Sequence, residues 1–107
     1  MFSCQKKTEQ FIFSSRKILG AVSDRLNCHS KFQGFANLLP QHKSVEIKAA
    51  MYITWCEELI IYINRNWTLR DPDYPIECQN CINAVLHCYA KGQSPNVNKW
   101  MAVLSKK

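Results

Sequence analysis

Glycine and proline are scarce in this sequence, with three and four among 107 residues. A turn-rich β-sandwich would need more of both, so the composition favours helices. Three glycines also cannot build a Gly-rich phosphate loop, and no motif of that kind occurs. No uncharged apolar run approaches the roughly 20 residues that span a bilayer. Basic residues never run five together. They stand singly or in pairs, as in Lys6-Lys7, Arg16-Lys17 and Lys106-Lys107. No continuous apolar segment follows Met1 to Lys7, so a secretory signal is not expected.

What is present points to one globular helical domain over residues 1–107. Hydrophobic residues make up 47% and charged residues 21%, a balance that supports a core. The net charge of +6 is uneven: residues 1–48 hold eight Lys/Arg against three Asp/Glu, and the rest hold six against five. A basic N-terminal half suits nucleic acid, an anionic surface or an acidic protein partner. The six cysteines are expected to be mostly free thiols in a reducing, intracellular setting. Cys56, Cys81 and Cys88 fall on apolar helix faces, where a thiol behaves as a small hydrophobe.

Ser44 to Asn64 is the organising stretch. Val45, Ala49, Tyr52, Cys56, Leu59 and Ile63 recur in steps of three and four, which is one helical face. Ile47, Met51, Ile53, Trp55, Ile60 and Ile61 spread round the other sides, so this helix should be central, with neighbours on several flanks. The expected fold is all-α, a bundle of about five helices around 44–64. Residues 1–7 form a flexible lead. A first helix runs from Thr8 to Asn27, and Ser30 caps a short second one that Pro40 stops. Residues 65–75, with Pro72 and Pro75, form a long loop whose Trp67 and Tyr74 fold back onto the domain. A fourth helix opens at Pro75 and ends at Gly92. Ser94-Pro95 starts a fifth, with Val97, Trp100, Met101 and Leu104 on one face.

Three sets of residues could carry function. Leu19, Val22, Ser23, Asp24, Leu26 and Asn27 resemble the BH3 motif of the Bcl-2 family of apoptosis regulators. The hydrophobe that motif carries four residues before Leu19 is replaced by Ser15. The resemblance implies helix-in-groove binding, with the apolar stripe in a partner's cleft and Asp24 on a basic rim. A second set, Arg16, Lys17, Arg25, Lys31, Lys43 and Lys48, could contact phosphates, with Phe32, Phe35 or Trp67 stacking on bases. A third, Cys78, Cys81, His87 and Cys88, has residue types that hold structural zinc, although only one Cys-x2-Cys pair occurs. His87 and Cys88 lie about 100° apart on a helix and make no natural nucleophile–base dyad, so no enzyme is expected. The leading expectation is a non-enzymatic protein-interaction module, such as a viral or lineage-specific accessory protein that binds a host partner. A nucleic-acid-binding protein and a zinc-stabilised adaptor are the alternatives.

Overall fold

A computed structural model describes Phe2, residues 4–38 and residues 44–106. It contains five α-helices: α1 Gln5–Arg25, α2 Gln33–Leu38, α3 Val45–Asn66, α4 Ile76–Lys91 and α5 Val97–Ser105. A single 3-10 turn, Ser30–Phe32, leads into α2. There is no strand among the described residues. The all-α expectation holds, and none of these helices is long and apolar enough to cross a membrane.

The ends of the helices follow local chemistry. At α3 the Ser44 hydroxyl accepts from the Ile47 amide at 3.3 Å, and Glu46 lies in the first turn. Gly92 closes α4 in the left-handed region, at φ 67°, which only glycine adopts without penalty. Other boundaries differ from the sequence expectation. The first helix begins at Gln5, so residues 5–7 belong to it, and the Phe2 ring packs tilted against Phe11 with centroids 5.2 Å apart. Its start, Cys4, makes no side-chain cap bond, so no cap signal marks it. The helix ends at Arg25, where Asn27 takes a left-handed φ of 58° and Cys28 donates its amide to the Ser23 carbonyl. Ser30 does not cap α2; it begins the 3-10 turn instead. Pro40 lies outside the described residues. Asn96, not Ser94, caps α5, and its side-chain oxygen accepts from the Lys99 amide at 3.0 Å. The long loop begins at Trp67, and α3 keeps Arg65 and Asn66.

The core is a single cluster drawn mainly from α1, α3 and α4. On α3, Ala49, Tyr52, Trp55, Cys56, Leu59 and Ile63 are buried. On α1, Phe11, Ile18, Leu19 and Val22 are wholly buried, and this helix packs against α3, α4 and α5. Each such side chain stabilises the fold by roughly 1.5–3 kcal/mol on burial. Phe35 from α2 stacks on Trp55 at 5.8 Å and 9°. Trp67 and Tyr74 are half-buried against the core, so the loop folds back as expected. Arg25 ties three helices together. It donates to the Leu104 carbonyl of α5 and lies 3.6 Å from Glu77 of α4.

Candidate partner-binding surface

A helix of 21 residues that buries one stripe must present another. On α1 the buried stripe is Phe11, Ser15, Ile18, Leu19 and Val22, continued by Leu26 at its C-cap. The opposite stripe is Phe13, Lys17, Gly20, Ala21 and Asp24, spaced by three, four and seven residues. Phe13 is 55% exposed although phenylalanine is among the residues most often buried. Alongside this stripe runs α5, whose Met101 is 39% exposed. Together Phe13, Arg16, Lys17, Gly20, Ala21, Asp24 and Met101 enclose an open groove. It continues past Ala21 and Asp24 to Leu104 and Ser105.

The groove has a cationic end and a mixed end. Arg16 and Lys17 lie at the first, and the Lys17 ammonium sits 4.8 Å from the Phe13 ring centre, a cation–π contact. Asp24 lies at the other, with 72% of its side chain exposed and His29 Nδ1 at 3.2 Å. The middle is low because of Gly20: a Cβ added there would meet nothing within 4 Å. The opening therefore has low relief at its middle and opposite charges at its two ends.

The residues singled out in the sequence are dispersed by the fold. Of the BH3-like set, Leu19, Val22, Ser23 and Leu26 are buried in the chain's own core, while Asp24 is exposed. Ser23 donates its hydroxyl to the Leu19 carbonyl at 2.9 Å. As folded, the apolar side of that pattern is covered, and presenting it to a cleft requires α1 to leave the bundle. Among the basic residues, Arg16 and Lys17 share the groove, but Arg25 is held by Glu77 and Leu104. Lys31 lies over the Tyr62 ring, Lys48 is half-buried on α3, and Lys43 lies outside the described residues.

The thiols are internal. Cys78 and Cys81 are buried on α4, Cys88 is half-buried and His87 is exposed. Among the described residues no three His, Cys, Asp or Glu side chains gather as metal ligands. Desolvation pushes Cys78 up to about 11 and Cys81 up to about 12, and the same cause raises Cys88.

Sequence reasoning did not single out Phe13, Gly20, Ala21 or Met101. The signal was an aromatic residue on the charged side of α1, two positions from Phe11 and so on another face. Met101 had been counted with the inner stripe of α5. No protein-family model, curated protein or solved structure matches the chain.

Proposed function

We propose that the protein is a small intracellular, non-enzymatic interaction module that docks a protein partner on the outer side of α1 and the adjoining side of α5. One observation carries this reading. The groove keeps Phe13 and Met101 exposed, while α1 buries its other large apolar side chains or packs them against the core. Exposed apolar area costs about 25 cal/mol per Å² until something covers it. Apolar centres rimmed by charge are the usual form of a docking site. A helix laid in the groove would meet low relief at Gly20 and charged rims at Lys17 and Asp24.

A photo-cross-linking side chain placed at Phe13 or Met101 in cells tests the reading. A discrete adduct is expected from these two positions. Leu69 and Ile47, which are also exposed apolar residues, serve as controls and should give none. Equal labelling from all four positions would remove the proposal. The nucleic-acid alternative rests on Arg16 and Lys17 in the groove. Retention on RNA that falls steeply with salt, and that is lost in an Arg16→Glu/Lys17→Glu variant, would support that alternative instead.

A further inference from the structure

The outer stripe of α1 is complementary to itself. This inference rests on the docking-face reading above and names the occupant. The geometry points to a second copy of this chain, paired antiparallel across a two-fold axis beside the midpoint of Gly20 and Ala21.

Lys17 and Asp24 are each three and a half residues from that midpoint, one on either side. At 100° per residue both fall within about 10° of the same radial direction. A two-fold therefore sets Lys17 of one copy opposite Asp24 of the other, twice. Such a contact is isologous and closes at two subunits. Gly20 and Ala21 lie at the crossing, where the open space above Gly20 lets the two backbones approach. The same operation puts both α5 helices on one side of the seam, so that Met101 of each copy covers it. Phe13 of each copy then lies opposite position 28 of the other, just past the C-terminal end of its α1.

The remaining charges are compatible with this pairing. Arg16 and Arg25 lie about 90° to either side of the stripe, so they fall on opposite sides of the seam. Arg25 is in any case held by Glu77 and Leu104. His29 approaches Asp24, whose carboxylate stays largely open to a lysine. Two molecules of charge +6 repel at long range. Roughly three helical turns with an α5 flank also form a small contact. The dimer is accordingly weak.

Sedimentation equilibrium on the full chain, across about three decades of concentration up to about 1 mM, tests the pairing. The mass should rise from monomer toward dimer. Gly20→Gln, whose Cβ meets nothing in its own fold and whose longer side chain fills the seam, should stay monomeric with a thermal midpoint no lower than wild type. Lys17→Asp and Asp24→Lys should each be monomeric alone, and a mixture of the two should form the dimer again. A wild type that stays monomeric throughout overturns the self-pairing. The docking-face reading then stands or falls separately on the cross-linking at Phe13 and Met101. A dimer that Gly20→Gln and both charge variants leave intact also overturns it, because another face would then hold the copies together.

Discussion

The two sides of α1 differ in what they contact. Phe11, Ile18, Leu19 and Val22 are wholly buried on a helix that packs against α3, α4 and α5. Phe13, Lys17, Gly20 and Asp24 lie within a residue or two of them in sequence, yet face the open groove. The inner side answers to the core and tolerates little change. The outer side is under no comparable packing constraint, so an aromatic ring kept there calls for a reason outside the monomer. The BH3-like pattern straddles this divide, with its apolar positions inside and its aspartate outside.

The largest expected effect comes from the inner side. Leu19→Ala should cost about 2–5 kcal/mol and lower the thermal midpoint by at least about 10 °C, read by circular dichroism. Leu19→Glu should prevent folding altogether, so it cannot serve as a test of partner binding. A loss below about 1 kcal/mol for Leu19→Ala would show that α1 is not the core element described.

Alkaline pH probes the same core. Burial raises Cys78 to about 11, and Cys56 and Cys81 to about 12. An unfolded cysteine ionises near about 8.5, so between about 9 and 11 the unfolded state releases protons that the folded state keeps. Stability is therefore full below about pH 8.5 and falls as pH rises through that window. The midpoint at pH 10.5 should lie well below that at pH 7.5, and Cys56→Ala should flatten the slope. A midpoint independent of pH over that range would contradict the burial of these thiols.

Smaller effects sit at the junctions. Arg25→Met removes a charged hydrogen bond to Leu104 and the contact with Glu77. It should cost about 1–2 kcal/mol in urea unfolding. Ser15→Ala has the opposite sign. Its hydroxyl is fully buried without a hydrogen-bond partner among the described residues, so removing it should leave stability unchanged or raise it by up to about 1 kcal/mol. On the outer side Gly20→Ala should gain up to about 1 kcal/mol from helix propensity alone. A destabilised Gly20→Ala monomer would mean that the groove is filled by the chain itself.

Much of the fold was legible because it rests on periodicity and on caps with strong chemistry. The three-four spacing from Val45 to Ile63 marked α3, Ser44 fixed its start, and Gly92 fixed the end of α4. The start of α1 was hidden because Cys4 is no capping residue and the charged Gln5–Lys7 segment looks like a tail. The start of α5 was misread because Ser94-Pro95 has the form of a cap while Asn96 makes the bond. The candidate site was largely illegible for a physical reason. An exposed stripe has no period of its own to announce it, and it is defined by which side the core takes. Only the position of α5 beside Ala21 and Asp24 shows that Met101 faces the groove and does not join Leu104 in the interior.

The central claim is that the outer side of α1 docks a partner and does not hold up the fold. Phe13→Glu, measured twice, tests it most directly: once for its thermal midpoint, and once for the adduct formed in cells by a photo-cross-linker at Met101. The account predicts a midpoint within about 3 °C of wild type, as for a surface substitution, together with loss of the adduct. An adduct that persists undiminished in the folded Phe13→Glu protein would contradict it.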